Sequence, residues 1–348
     1  MIKTTDKICP ESMEMRKAFC ESLIELAGED RNVIVMDGDL MGAMGTKPFA
    51  GEFPEQTLDC GIQEANAVGV AAGMSAVGKI PFVHSFGPFI SRRACDQVFM
   101  SGAYAKLNVK LVGSDPGITA QINGGTHMPF EDMGIMRGIP QMTIVEPTDI
   151  TMLRSVMRQM KENYGMYYMR LVRKSCMKIY EAGSEFEIGK AVILREGRDA
   201  TVIASGYCVA QALKAAEELE REGVYIRVID MFTWKPVDEE TIVNAAKETG
   251  AIVTAENHNV INGLGSAVAE TVVKHSPVPI EMIGVQDQFG EVGDLDYLAG
   301  RFGLKSENII EAVKKAMKRK SRAEKKNGNK KIIMQRKQEE NHESACQI

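Results

Sequence analysis

Strand signals and helix signals alternate along almost the whole chain, and this alternation limits the possible fold more than any other feature. The segment 16–27 has the spacing of an amphipathic helix, and the short apolar run 33–36 after it reads as a strand. Parallel strands need a long crossover between them, usually a helix, so repeated helix–strand units favour parallel sheets. The sequence therefore predicts an α/β fold with two doubly wound, mainly parallel-sheet domains.

A polar stretch near the middle of the chain interrupts the alternation, which then restarts. It divides the chain into a first domain at 10–175, a linker at 176–189 and a smaller domain at 190–318. Positions 314–338 hold 12 Lys and Arg residues and one acidic residue, without an aromatic side chain that could stack on a nucleic-acid base. We expect residues 319–348 to form a basic, solvated and disordered tail.

The composition excludes several classes of protein. The 348 residues are 44% hydrophobic and 26% charged, which is ordinary for a soluble globular protein. No apolar run is long enough to span a membrane, and the polar start does not resemble a signal peptide. The seven cysteines form no CxxC pair, which argues against disulfides and a zinc site. We expect a cytoplasmic protein with reduced, mostly buried thiols, no metal ligands of its own, and neither nucleic acid nor membrane as a partner.

The run 61–89 contains the first candidate catalytic residue. Glu64 is a lone carboxylate at the start of an apolar helix, predicted at 64–77, that is rich in glycine and alanine. A carboxylate in such a setting either has a partner or binds its proton more tightly. Held on a rigid element in a dry pocket, it could exchange a proton with a cofactor nitrogen. The alternative, favoured for this residue taken by itself, is a glutamate that only complements the helix dipole.

Aromatic and histidine side chains follow at positions where α/β sheets bind ligands. Phe86 and Phe89 come after the predicted strand 80–84 and could stack on a heteroaromatic ring or simply pack in the core. His127 lies in the glycine-containing loop 124–129, which favours a functional role.

Two arginines near the end of the predicted strand 167–172 are candidate anion ligands. Arg170 and Arg173 are three residues apart, so they point to different faces of an extended segment and at most one need enter a site. Either could bind a substrate phosphate. For Arg170 a surface charge is the favoured interpretation.

A motif that binds a metal–diphosphate group is incomplete in this sequence. Gly38 and Asp39 imitate its start and Asn66 its end, but Leu40 replaces the third glycine. Asn66 also lies only two residues beyond Glu64, so one short turn would have to serve both ends of a cofactor. We interpret the similarity as coincidence.

Taken together, the run 61–89, the loop 124–129 and the run 170–173 resemble transketolase. The resemblance covers about residues 10–318 and is closest to the C-terminal half, which is a separate subunit in split bacterial transketolases. It implies a pyrimidine-binding domain at 10–175 and a transketolase C-terminal domain at 190–318.

The resemblance also implies roles for individual residues. Glu64 would hydrogen-bond the aminopyrimidine ring of thiamine diphosphate, and with His127 it would form the catalytic pair. The remaining matches are Phe86, Phe89 and Asp39 as cofactor-binding residues, and Arg16, His127 and Arg173 as substrate-binding residues. The implied reaction is transfer of a two-carbon ketol unit from a ketose phosphate to an aldose phosphate, as in the pentose phosphate pathway.

Departures from the family leave the sugars open. Ala43 stands where a phosphate-contacting serine is common, Asn123 replaces an aspartate, and Ser114 replaces a substrate histidine. Because the diphosphate motif is missing, thiamine diphosphate with Mg²⁺ or Ca²⁺ is expected to be held mainly by a partner, the N-terminal transketolase subunit, in an α2β2 heterotetramer.

Two other functions stay open for this sequence. The first is the β subunit of a 2-oxo-acid dehydrogenase E1 component, which shares the two-domain plan but needs no phosphate-binding arginine pair. The second is a non-catalytic interaction subunit of the same fold, against which the joint presence of Glu64, Phe86 and His127 weighs.

Overall fold

The structure is a computed structural model that describes residues 2–322. Its strands in this range are β1 (Thr4–Pro10), β2 (Val33–Asp37), β3 (Thr57–Asp59), β4 (Ile80–Phe86), β5 (Lys110–Ser114), β6 (Thr143–Val145), β7 (Tyr167–Leu171), β8 (Met177–Tyr180), β9 (Val192–Arg195), β10 (Ala200–Ala204), β11 (Ile226–Asp230), β12 (Thr233–Lys235), β13 (Ile252–Asn259) and β14 (Ile280–Val285).

The helices in the same range are α1 (Met15–Glu29), α2 (Met41–Met44), α3 (Lys47–Glu52), α4 (Glu64–Ala76), α5 (Cys95–Gln97), α6 (Asp132–Arg137), α7 (Ile150–Glu162), α8 (Tyr207–Arg221), α9 (Glu239–Thr249), α10 (Leu264–His275), α11 (Leu295–Arg301) and α12 (306–322). Two segments on either side of α5 have wider, π-type turns, Phe89–Arg93 and Val98–Tyr104.

The larger sheet has seven strands in the order β12–β6–β7–β5–β4–β2–β3. All neighbours are parallel except β12, which runs antiparallel to β6. Strands β2, β5 and β7 are buried along their whole length, as expected where helices cover both faces of a parallel sheet. Helices α1 and α7 contribute to one hydrophobic cluster, and α4 and α6 contribute to a second.

The second sheet has five strands in the order β14–β13–β10–β11–β9. Only β9, at one edge, is antiparallel to its neighbour. Helices α8 and α12 pack into the first hydrophobic cluster, whereas α9 and α10 pack into the second. The predicted α/β class with two mainly parallel sheets is therefore confirmed.

Strand β12 ties the two halves of the chain together. It follows β11 of the second sheet in sequence but pairs with β6 at the edge of the first sheet. Trp234 at its centre is buried, and the Lys235 ammonium donates to the carbonyl oxygens of Arg137 (2.9 Å) and Ile139 (2.6 Å). The second half of the chain is thus joined to the first sheet by backbone pairing as well as by side-chain contacts.

Strand β8 lies inside the segment 176–189 that the sequence predicts as a linker. It pairs antiparallel with β1, so the start of the chain and this segment form a two-stranded ribbon. The segment is therefore partly a strand rather than a simple connection.

Helix α12 continues past residue 318, where the sequence predicts the second domain to end. Nη1 of Arg319 donates to the carbonyl oxygen of Ile280 at 2.7 Å, and Nζ of Lys320 donates to that of Thr249 at 2.8 Å. Positions 319–322 thus belong to the helix and not to the predicted tail. The rest of that tail, 323–348, lies outside the described residues.

Arg170 is buried between the two sheets, and the prediction of a surface charge is wrong. Its guanidinium is 1% exposed and donates to Asp132 at 2.9 Å, to Glu146 at 3.1 Å and to the carbonyl oxygen of Asn257 at 3.0 Å. Ser205 donates to the other oxygen of Glu146 at 2.5 Å. The carboxylates of Asp132 and Glu146 both contact the buried guanidinium and compensate its charge. The sequence around Arg170 does not show these partners.

The thiols are less buried than predicted. Among residues 2–322 all six cysteines are free, and only Cys20 and Cys208 are fully buried, while Cys9 is exposed. No helix in the described range has both the length and the apolar character that crossing a bilayer requires. The same range holds no group of three or more His, Cys, Asp or Glu side chains arranged to bind a metal ion.

Candidate active site

The candidate residues gather at the carboxyl edge of the larger sheet. Strands β4, β5 and β7 are adjacent and end together, with Phe86 opposite Ser114 and Ser114 opposite Leu171. Open parallel sheets bind ligands at this edge, because the loops that leave the strands meet there. The side chains that follow these strand ends are therefore close in space although far apart in sequence.

Glu64 begins α4 and is only 3% exposed. Its Oε1 accepts from the Ser85 hydroxyl at 2.8 Å, and its Oε2 accepts from Nη1 of Arg93 at 2.6 Å. A buried carboxylate is tolerated when it is paired and hydrogen-bonded. The sequence leaves open whether the Glu64 carboxylate has a partner or binds its proton more tightly. The structure shows that it has two partners.

The rings of Phe86, Phe89 and His127 form an aromatic cluster beside this carboxylate. All three contacts are edge to face, with centroids 6.1 Å apart for Phe86–Phe89, 5.4 Å for Phe86–His127 and 5.1 Å for Phe89–His127. The guanidinium of Arg93 lies 4.4 Å from the Phe89 centroid, and that of Arg173 lies 5.1 Å from the Phe86 centroid. The rings are partly exposed, so they line a surface rather than fill the core.

The loop that carries His127 is held against the second domain. A Cβ atom at Gly125 would lie 2.2 Å from the carbonyl oxygen of Gly290, so this close approach requires glycine. Nδ1 of His127 lies 2.9 Å from the Thr126 hydroxyl. The loop is thereby fixed with its imidazole in the aromatic cluster.

Arg16 and Arg173 are neighbours in space. The backbone N–H of Arg16 donates to the carbonyl oxygen of Arg173 at 3.5 Å. The Arg16 guanidinium bonds the carbonyl oxygen of Ala43 at 2.8 Å and the Glu14 carboxylate at 2.7 and 2.8 Å. Nε of Arg173 forms an ion pair with Oδ2 of Asp115 at 2.6 Å. We call these two arginines with Glu14 and Asp115 the arginine cluster.

Asp39 lies on the turn after β2, at the same edge of the sheet but apart from the aromatic cluster. Its side chain is exposed, its φ is +62°, and its backbone N–H donates to Oδ1 of Asp59 at 3.0 Å. Within residues 2–322, no hydrogen bond or ion pair joins its carboxylate to Glu64 or to the arginine cluster.

The sequence analysis did not identify a buried histidine–aspartate pair beneath the site. Nε2 of His84 lies 3.1 Å from Oδ2 of Asp37, and both side chains are almost completely buried. Burial lowers the pKa of His84 to about 4 and raises the pKa of Asp37 to about 6. Burial thus disfavours the charged form of both groups, and His84 lies two residues before Phe86 on β4.

A cavity of about 820 Å³ lies elsewhere, between the β1–β8 ribbon and α8. Ile8, Ile179 and Leu213 are among its apolar lining residues, while Glu64 and the aromatic cluster are not among them. This cavity is therefore separate from the candidate site.

Protein-family profiles place these observations in a class. The profile "Transketolase, pyrimidine binding domain" matches residues 11–178, and "Transketolase, C-terminal domain" matches residues 189–309. The chain belongs to the transketolase family, whose members are thiamine diphosphate-dependent transferases.

Within this family the chain is similar to subunits encoded by split genes. It is 50% identical to the 6-deoxy-6-sulfo-D-fructose transketolase subunit SqwH of Clostridium sp. (strain MSTE9) over 307 residues, or 88% of this chain and 95% of that protein. It is 37% identical to a subunit of the apulose-4-phosphate transketolase of Phocaeicola vulgatus, over 86% of this chain and 97% of that protein.

A solved structure shows the same relationship. The chain in "Split gene transketolase, inactive beta4 tetramer" is 40% identical, with a TM-score of 0.82 over 89% of this chain and 100% of that one. By contrast, the chain spans about half of transketolase-like protein 2 of Mus musculus, to which it is 36% identical.

Proposed function

We propose that this chain is the C-terminal subunit of a two-chain transketolase, which transfers a two-carbon ketol unit between sugars through thiamine diphosphate. The observation that carries the proposal is Glu64, buried and paired at the carboxyl edge of the sheet beside Phe86, Phe89 and His127. This constellation supplies a proton-binding group and aromatic surfaces next to each other, as a pyrimidine ring requires.

The site has the chemical features that a bound aminopyrimidine needs. Each oxygen of Glu64 accepts one described hydrogen bond, and a carboxylate oxygen can accept two, so Glu64 can also accept from a ring N–H. The faces of Phe86 and Phe89 suit a flat heteroaromatic ring. When bound, thiamine diphosphate supplies the carbanion-stabilising chemistry of the transfer, and the protein contributes orientation and a dry environment.

Each residue of the site then has a defined task. Glu64 holds a proton at the pyrimidine nitrogen, and Ser85 and Arg93 keep its carboxylate oriented. His127, partly exposed and bonded through Nδ1, contacts substrate hydroxyls. Asp39 is assigned to cofactor binding on the family resemblance alone.

The anionic end of the sugar is assigned to the arginine cluster. Arg16 and Arg173 come from distant parts of the sequence, their backbones meet, and the Arg173 guanidinium lies against the ring of Phe86. Guanidinium groups bind tetrahedral oxyanions by paired hydrogen bonds, so two of them can fix the end of a sugar at a set distance from the reacting carbon.

A second chain is needed to complete the site. The sequence lacks the Gly-Asp-Gly…Asn motif that would hold the diphosphate. We therefore assign the diphosphate and its Mg²⁺ or Ca²⁺ to a separate N-terminal subunit in an α2β2 assembly. The related structure described as an inactive β4 tetramer supports a chain that is inactive without its partner.

The sugars are proposed from the relatives. One relative is named for 6-deoxy-6-sulfo-D-fructose and another for apulose 4-phosphate, so both act on ketoses with a terminal oxyanion. We propose a ketose with such a terminal oxyanion as donor. The sugars of the pentose phosphate pathway also end in an oxyanion, but the two relatives are named for other sugars. The family profiles and the arginine pair support this activity over an E1 β subunit or a non-catalytic subunit.

Reconstitution tests the proposal. The chain is co-expressed with the diphosphate-binding subunit encoded beside it, and two-carbon transfer is assayed with thiamine diphosphate and Mg²⁺. We expect transfer by the two-chain complex and none by this chain without its partner. Tight cofactor binding and turnover by the isolated chain would contradict the shared site, and release of CO2 from a 2-oxo acid would identify an E1 component instead.

A further inference from the structure

The arginine cluster carries its own counter-ions. Glu14 bonds Arg16 through two nitrogen atoms, and Asp115, itself buried, pairs with Arg173. Each arginine that could bind an anionic sugar is thus already balanced by one carboxylate of the same chain. The pair of guanidinium groups with its two carboxylates has no net charge.

One further cation lies nearby. Lys174 follows Arg173 in the sequence, is exposed, and bonds the side chain of Gln121 at 3.3 Å through its ammonium. With this lysine included, these five side chains of the chain carry a single net positive charge. Two neutral groups also border it: Ala43 contributes only a backbone carbonyl, which Arg16 occupies, and the Ser114 hydroxyl lies 3.4 Å from Asp115.

This charge suits some oxyanions better than others. A phosphate monoester has a second pKa near 6 and carries about −1.5 to −2 charges at pH 7. A sulfonate has the same tetrahedral shape and three terminal oxygens but keeps a single negative charge at every pH in this range. Apart from the bridging ester oxygen of the phosphate, the two groups differ mainly in charge. A dianion costs more to remove from water than a monoanion, and a site with one net positive charge compensates only one of its two charges.

We propose that the arginine cluster selects a donor sugar with a monoanionic, sulfonate-type end over one with a dianionic phosphate, and that Glu14 determines this specificity. The inference rests on the proposed function and adds the charge class of the substrate. Glu14 acts by cancelling part of the field of Arg16, without contact to the reacting atoms.

The test compares two donors that differ only in this group, fructose 6-phosphate and 6-deoxy-6-sulfofructose, on the reconstituted two-chain enzyme with one acceptor. At pH 7.5 we expect the higher kcat/KM for the sulfonate. Lowering the pH to 5.5 turns most of the phosphate into its monoanion, so the ratio of the two kcat/KM values should move about tenfold toward the phosphate donor. An equal or higher kcat/KM for the phosphate at pH 7.5 overturns the proposal.

A variant tests the role of Glu14. Glu14→Gln keeps the shape and removes the charge, so it should raise the ratio of kcat/KM for the phosphate donor to kcat/KM for the sulfonate donor about fivefold. The matched control is Glu21→Gln, on the same helix, where the carboxylate pairs with the exposed Arg154. Equal changes for both donors would show that Glu14 has only a structural role.

Binding separates this proposal from the proposed function. The affinities of the same two sugars are measured by calorimetry on a two-chain complex that carries Glu64→Gln, where turnover is blocked. If neither sugar is turned over by the unaltered enzyme, the proposed function fails, while the ranking of the two affinities still decides the charge selectivity.

Discussion

Arg93 joins the carboxylate of Glu64 to the aromatic cluster. Its Nη1 lies 2.6 Å from Oε2 of Glu64, while its guanidinium stands 4.4 Å from the ring centroid of Phe89. The Glu64 side chain is almost completely buried, whereas that of Arg93 is 44% exposed. The charge that compensates the buried carboxylate therefore reaches it from the solvent side of the site.

The first prediction concerns this pair. Arg93→Met keeps much of the length of the side chain but leaves Glu64 with Ser85 as its one described hydrogen-bond donor. The carboxylate loses both compensation and orientation, so we expect kcat of the two-chain enzyme to fall about tenfold or more. Steady-state kinetics at saturating cofactor measure this change. Arg154→Met, at an exposed ion pair on α7, is the control, and equal kcat values for both variants would show that Arg93 does not orient Glu64.

Replacement of the carboxylate itself should have a larger effect. Glu64→Gln keeps the shape and still accepts from Ser85, but it cannot hold a proton at a cofactor nitrogen as a carboxylate does. We expect kcat to fall about 10²–10⁴-fold, the usual contribution of a positioned acid or base. Size-exclusion chromatography should show an unchanged complex. Turnover near that of the unaltered enzyme would remove Glu64 from the catalytic residues.

Arg170 should matter for stability. Arg170→Met leaves Asp132 and Glu146 buried without their common cation, and breaking a buried pair in this way costs about 3–5 kcal/mol. Urea unfolding of the purified chain measures the loss. Arg154→Met, which breaks exposed ion pairs, should cost less than about 1 kcal/mol. Similar losses for the two variants would contradict the role that we assign to the buried network.

Asp230 should make the stability depend on pH. Burial raises the pKa of Asp230 to about 7, although Thr148 and Tyr180 both donate to its Oδ2 at 2.7 Å. Between the unfolded value near pH 4 and pH 7 the folded chain binds more protons than the unfolded chain. The free energy of unfolding contributed by this group therefore falls as the pH rises through that window and is constant above it.

The variant Asp230→Asn removes this dependence and keeps an oxygen for the two donors. Its stability relative to the unaltered chain should improve between pH 4.5 and pH 8, by about 3 kcal/mol. Urea unfolding of both proteins at the two pH values measures the difference, in which titrations shared by both proteins cancel. The control is Asp296→Asn at an exposed position. A difference that is independent of pH would show that Asp230 titrates normally.

The sequence predicts the elements of the site better than their partners. Glu64, Phe86 and His127 could be found because each stands at a strand end, at a helix start or in a glycine-containing loop, and such positions leave local patterns. Ser85 and Arg93 could not be assigned to Glu64, since no spacing rule connects a helix start with a strand or a π-type turn further along the chain.

The sequence analysis also missed buried charges whose partners lie far away in the sequence. Arg170 looks like any strand-end arginine until the start of α6 brings Asp132 to it and the end of β6 brings Glu146. The pair of Asp37 and His84 joins two parallel strands that are neighbours in space, and strand order in a sheet cannot be deduced from the alternation of strands and helices.

Strand β12 has a consequence for any attempt to take this chain apart. A fragment that stops in the segment 176–189 would expose the backbone of β6 as an unpaired edge, ready to join another strand. A fragment that contains only the second half of the chain would carry β12 without its pairing partner β6. The ring of Trp234, which is buried in the whole chain, would then be exposed. A C-terminal domain transplanted between relatives must therefore bring a β12 that fits β6 of the recipient. The reason is that the second half of the chain supplies one strand of the first sheet.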